Sequence, residues 1–491
     1  MNRLRNIAIG VALSAAFSLH SSVTVYPAGK DVPTLNEYTI SVRQAGSADW
    51  LPVDAYPVRL QHVQCIDGKV SNPVDIASMA YFDFDGTVEV RVVANGVRVN
   101  SARIRPLSYN ITPTVTDDTL SFTLSRPANL SVELNGDIFS NLHLFANPID
   151  THRPTAREIR NAGKKKSDLI YFGPGLHRLP GGAMRIPSGK TVYVDGGALV
   201  DGQLLVDSVR DVRIFGRGEI RPQGRGEGIN IRHSRNIEAE GVVLSQIPVG
   251  GSDSVRITNV KSLTHYGWGD GMNVFASNNV RYDRVFCRNS DDCNTVYATR
   301  KGFVGGCRNI IMENSTLWAD VAHPIMIGLH GSATEIGPDA PADTICNVTY
   351  RNIDILDHQE RQLDYQGCFA IDCGDNNLVK DIVFDNIRVE DFRLGRLIDI
   401  RIFFNKKYCA APGSGIRDIL FKDIVYNGRN AELSLISGYS PERKVENITF
   451  ENLMINGVKI TDDMPGKPKW YKTGDFARIF IGEHVDNVVF K

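Results

Sequence analysis

Four shortages bound what this chain can be. It has no surplus of positive charge: 55 Lys and Arg stand against 56 Asp and Glu in 491 residues, a net charge of −1. Nothing is in excess to neutralise a phosphate backbone, which argues against nucleic acid as the main partner. Cysteine is scarce, with eight residues at Cys65, Cys287, Cys293, Cys307, Cys346, Cys368, Cys373 and Cys409. That density does not make a disulfide scaffold, and no C-x-x-C pair offers a zinc ribbon. The cysteines are expected to be free and buried in strands, and no metal or cofactor is expected. Beyond the first twenty or so residues no apolar run approaches the ~20 needed to span a bilayer. Long helical patterns are lacking too: 44 glycines and 22 prolines are spread through the chain, which suits short strands and turns.

What is present is ordinary globular composition, 42% hydrophobic and 23% charged. A single core stops growing at roughly 250–300 residues, so two domains are expected. The chain opens with Arg3 and Arg5, followed by an uncharged apolar run from Ile7 to Leu19. A basic stretch followed by an apolar run of this length reads as a secretory signal peptide over residues 1–22. Export follows, to the periplasm or the medium, and a monomer is expected.

Residues 23–147 read as a β-sandwich. Alternating runs at 38–42, 87–92, 120–124 and 130–134 are separated by Asp85-Gly86, Asn95-Gly96 and Asn135-Gly136. Residues 148–166 form a polar, basic linker. From 167 to 491 one phrase recurs: a small polar residue followed by Val or Ile. The apolar member falls at Val212, Ile237, Val255, Val280, Ile310, Val348, Ile382, Ile419, Ile448 and Val488, in steps of 18 to 40 residues. A strand phrase at a loosely fixed period is the signature of a solenoid, and here of a parallel β-helix whose inward Val and Ile stack in ladders. Cys287 and Cys307, 20 residues apart, are expected to stack in the same way. The fold class is therefore all-β, a solenoid preceded by a sandwich.

The chemistry-bearing residues cluster. Asp270 lies in Trp268-Gly269-Asp270-Gly271, and Asp291 and Asp292 lie in Asn289-Ser290-Asp291-Asp292-Cys293. The offset from Asp270 to Asp291 is close to one coil, and stacked strands stand ~4.8 Å apart. Carboxylates that close disfavour joint ionisation and push one pKa up. One carboxylic acid beside carboxylate bases is what glycoside hydrolysis uses. Asp before Gly also fits plain turn chemistry. His323, one coil further on, is expected to hold a carboxyl proton in place. Candidate substrate contacts are Tyr266, Trp268, Arg300, Trp318, His330 and Asp372.

The ordered set Asp270-Gly271, Asp291-Asp292-Cys293 and His323-Pro324-Ile325-Met326-Ile327-Gly328 resembles the polygalacturonases. Those enzymes carry Asn-Thr-Asp-Gly, Gly-Asp-Asp-Cys and Gly-His-Gly-Ile-Ser-Ile-Gly on a right-handed β-helix. The dextranase and isopullulanase family is similar and adds an N-terminal sandwich. The resemblance covers roughly residues 165–460. It implies inversion by single displacement, with Asp291 as general acid, Asp270 and Asp292 activating water, and His323 tuning Asp291. The substrate would be a polysaccharide or oligosaccharide.

The departures bear on the sugar. Polygalacturonases carry an Arg-Ile-Lys run that grips the uronate carboxylate. The corresponding stretch here is Ala370-Ile371-Asp372, which loses both cations and gains an acid, and this argues for a neutral or differently charged sugar there. Arg300, Lys301, Arg396 and Arg401 remain as cations from other coils. A polysaccharide lyase using calcium and a basic residue, and a carbohydrate-binding solenoid without activity, are the alternative readings.

Overall fold

The computed structural model describes residues 22–491. The segment read as an export signal lies, but for its last residue, outside the described residues. Among the described residues no helix is long and apolar enough to cross a membrane.

The N-terminal part is two facing sheets. One holds Tyr38–Gln44, Leu51–Val53, Val88–Ala94, Thr114–Thr116 and Thr119–Leu124; the other is built on Val74–Phe84, Ala128–Leu134 and Asp137–Pro148. Inward residues of both sheets, such as Val42, Val90, Phe82 and Leu130, form one core. At Asn135-Gly136 both residues adopt positive φ, 55° and 79°, the conformation that a two-residue hairpin turn demands. The second sheet is mixed: Val74–Phe84 and Asp137–Pro148 run parallel. A short helix, Ala156–Asn161, follows, closed at its start by a Thr155–Glu158 capping box.

From Leu169 to Phe490 the chain winds through one 29-stranded sheet in which successive coils pair in parallel. The ten repeated Val and Ile positions form one continuous ladder, from Val212 opposite Ile237 to Ile448 opposite Val488. Nine are buried in the shared core, and Val488 caps it at the last coil. The polar residue before each has a physical role. Asp211, Asn236, Ser254, Asn279, Asn309, Asn347, Asp381, Asp418, Asn447 and Asn487 all have φ between 55° and 60°. That left-handed conformation costs ordinary L-residues roughly 1–2 kcal/mol, and least for Asn and Asp. The side chains also bond along the stack, as in Asn347 Nδ2 to Asn309 Oδ1 at 2.6 Å and Asn309 Nδ2 to Asn279 Oδ1 at 2.8 Å. A second ladder of this kind, Asn352 to Asn314, runs at another corner.

One expectation about cysteine fails and another holds in part. Cys287 pairs with Leu317 and Cys307 with Ile345, so they do not stack on each other. The coil between them has its own turn length, which a spacing of 20 ignores. All eight cysteines are free and seven are buried, as expected, although Cys293, Cys368 and Cys409 lie between strands; Cys65 is exposed, because it sits in a small surface hairpin of the sandwich.

The sandwich braces the solenoid through buried charge. Arg288 is fully buried and pairs with Asp320 at 2.8 Å, while donating to Asn141 Oδ1 at 2.9 Å and the Ile138 carbonyl at 2.7 Å. Its guanidinium lies 3.7 Å from the centroid of the Trp318 ring. Arg288 and Asp320 each stand three residues before a candidate catalytic residue, Asp291 and His323.

Candidate active site

The site is one corner of the solenoid repeated over successive coils. Asp270 follows the strand Lys261–Leu263, Asp291 and Asp292 follow Phe286–Asn289, and His323 follows Cys307–Ala319. Register decides which of them stack. Gly271 N–H donates to Asp292 O and Cys293 N–H to His323 O, both at 2.8 Å. In the adjoining ladder Val274 faces Val296, and Asn294 faces Ile325. These offsets put Asp270, Asp292 and His323 at equivalent positions of three coils, with Asp291 one residue aside. The sequence offset had paired Asp270 with Asp291 instead. Glycines flank Asp270 because the coils approach closely there. A Cβ on Gly271 would stand 2.5 Å from Asn289 Oδ1 and Cys293 O, and one on Gly269 would collide with Ser290 Oγ.

Hydrogen bonds sort the three carboxyls. Asp292 is the most enclosed: it takes the His323 Nδ1 bond at 2.7 Å, the His323 backbone N–H at 3.1 Å and the Tyr297 hydroxyl at 3.2 Å. His323 therefore serves Asp292 and not Asp291, because it stacks on the former. Asp270 accepts from Asn273 Nδ2 at 2.6 Å. Among the described residues Asp291 accepts only the backbone N–H of Asp292, at 3.0 Å. Burial, then repulsion from Asp270 and Asp292, pushes the Asp291 carboxyl well above the ordinary carboxylate range. Burial and Asp292 raise Asp270 to about 6. Burial opposes charge on His323, but the Asp292 carboxylate outweighs it and the imidazole pKa rises. The buried face of the His323 ring meets Tyr365 edge-on at 4.3 Å.

The three aspartates line a cavity of about 600 Å³, within the size range of small-ligand sites. Trp268, Arg300 and His330 line it as well. Trp268 is 72% exposed with Arg225 lying over its ring. Arg300 pairs with Glu335, and burial drives the His330 imidazole down to about 3, so it is neutral.

Three candidate contacts are elsewhere. Trp318 is fully buried, held between Arg288 and Arg105 under the sandwich; it covers the junction because its strand faces the other domain. Tyr266 is half-buried behind the cleft, its hydroxyl donating to the Gly226 carbonyl at 2.7 Å. Asp372 is fully buried beneath the floor, opposite Arg401 in the ladder, and burial with Asp399 nearby raises its pKa to about 8. Ala370 packs in an apolar cluster with Tyr297, Met326 and Tyr365. Neither position of that pair meets the cleft.

The sequence reading missed Asn273, Tyr297, Glu360, Tyr365 and Tyr408, which complete the site or line it. Asn273 carried a usable signal, three residues after Asp270; Tyr297 ends the strand Asn294–Tyr297, whereas Glu360, Tyr365 and Tyr408 arrive from loops of irregular length and carried none. Cations in the cleft are Arg225, Arg300, Lys301 and Lys407. Arg396 and Arg401 are instead bound to Asp399.

The chain shares its fold with Dex49A from Penicillium minioluteum. The two superpose with a TM-score of 0.61 at 13% identity, over 93% of this chain and 96% of that one. A family 28 exopolygalacturonase of Yersinia enterocolitica aligns with a TM-score of 0.49 at 12% identity, over 82% of this chain and 96% of that one. No family model and no curated protein sequence matches the chain. At 13% identity the likeness to Dex49A is one of fold alone.

Proposed function

We propose that the protein is an exported glycoside hydrolase that cleaves a polysaccharide or oligosaccharide with inversion. The observation that carries this reading is the division of the carboxyls in one cavity: Asp292 is bonded to His323 and Asp270 to Asn273, while Asp291 takes a backbone N–H and is pushed towards its protonated form by burial and its two neighbours. In the proposed mechanism Asp291 gives its proton to the glycosidic oxygen as the anomeric C–O bond breaks. Water attacks the opposite face of the sugar, and its proton passes to the Asp270–Asp292 pair. His323 orients Asp292 by its Nδ1 bond, which revises the role the family resemblance implies for it. The sugar is set by groups other than residues 370 and 372, since neither meets the cleft; Arg225, Lys301 and Lys407 line it and are available to an acidic sugar. Export rests on the pattern of residues 1–22.

The test is a screen of the purified protein against dextran, pullulan, galactan and polygalacturonan fragments, with the anomer of the first product read by NMR. Inverted product together with loss of activity in Asp291→Asn supports the proposal; retained configuration removes the mechanism. Lys301 favours a second reading, because it lies in the cleft near enough to Asp270 to lower its pKa and a lyase needs such a base. An unsaturated product absorbing in the ultraviolet would establish that reading instead.

A further inference from the structure

The loops around the cavity are unequal at its two ends. Past His323, in the direction of the C-terminus, three loops rise from successive coils: residues 328–343, 358–367 and 403–413. They are tied to one another by side chains. Asp364 receives Arg401 Nη1 at 2.7 Å and Asn405 Nδ2 at 3.0 Å. The Tyr408 hydroxyl donates to Gln362 Oε1 at 2.7 Å, and Lys407 also donates to that oxygen. Asp375 joins the first loop to the third by accepting from Gly331 N at 3.1 Å and Ala410 N at 2.7 Å. Inside this knot Tyr365 and Tyr408 stack at 4.7 Å, and Tyr365 lies against His323. The wall therefore stands directly beside the catalytic groups. At the other end the cavity is bounded by Arg225 and the largely exposed Trp268.

We infer that the site takes the end of a glycan chain and not its interior. A polymer cut in its middle must lie through the cleft with sugars on both sides of the carboxyls. Here the stacked tyrosines and the loops tied by Asp364, Gln362 and Asp375 occupy the path on one side. The chain enters over Trp268 and its terminus stops against Tyr408, so each turnover releases one short fragment. The inference rests on the hydrolase reading and concerns which bonds of the substrate that site can reach.

The experiment follows reducing ends and viscosity together on dextran, pullulan, galactan and polygalacturonan. On a polymer that is hydrolysed, one short product accumulates from the first time point while viscosity barely falls. The double variant Asp364→Ala/Gln362→Ala removes the ties at two exposed positions, which should not prevent folding. It should lose viscosity several-fold faster per bond cleaved than the wild type. A ladder of long fragments from the wild type, or a double variant with the wild-type product pattern, overturns the inference. If no glycan in the panel is hydrolysed, the hydrolase reading itself falls, and this inference with it.

Discussion

Asp291→Asn is the perturbation on which the proposed chemistry depends most. The amide has the carboxyl's shape, and its oxygen still accepts the Asp292 N–H that Asp291 takes at 3.0 Å. Placement should therefore survive, and so should folding. What disappears is the proton. The surroundings favour the protonated form of Asp291, through burial and the two neighbouring carboxyls, which push its pKa well above the ordinary carboxylate range. General acid catalysis contributes about 10²–10⁴-fold, or roughly 3–5.5 kcal/mol of barrier. The variant should lose that much in kcat on a natural glycan, with KM changed little. An aryl glycoside leaves with little protonation, so the loss on it should be far smaller. The assay is steady-state kinetics of wild type and variant on both substrates. Asp270→Asn and Asp292→Asn should be poorly rescued by the better leaving group, because they act on water. If Asp291→Asn keeps near-normal activity on the natural glycan, or loses equally on both substrates, the assignment is wrong.

Other outcomes follow from the same geometry. A base must be ionised, and Asp270 is raised to about 6, so a pH–rate profile should fall on its acid side near pH 6; an acid limb near pH 4 would contradict this. His323→Leu removes a bond to a charged group, worth about 1.5–3 kcal/mol, and should lower kcat roughly ten- to a hundredfold, with His323→Gln recovering part of it if the bond is what matters. Lys301→Met should raise KM strongly on a uronate-containing substrate and little on a neutral one, so comparing polygalacturonan with dextran fragments reads the charge of the bound sugar. Ile382→Ala, at a fully buried ladder position, should destabilise by about 2–5 kcal/mol, seen as a lower urea midpoint.

The solenoid was legible because its determinants are local and repeated. Each coil needs an inward Val or Ile and, before it, a residue that tolerates the left-handed turn. Asn309-Ile310 and Asn347-Val348 write that requirement directly into the chain. The cluster of aspartates and His323 was legible for a related reason: it occupies one corner of successive coils, each following a recognisable strand. What the chain left open depends on distances between residues far apart in order. Coil length varies with the loops, so only the hydrogen-bonded register settled that Asp270 stacks on Asp292 and that His323 serves Asp292. Trp318 looked like a sugar platform and is a junction residue, because its environment is made by Arg288 and by Arg105 from the sandwich. Asp372 looked like a subsite residue and is fully buried, away from the cavity lining. A repeated short-range constraint leaves its mark on every copy of the repeat, whereas a contact between a strand and a distant loop is made once, by folding, and has no period to read.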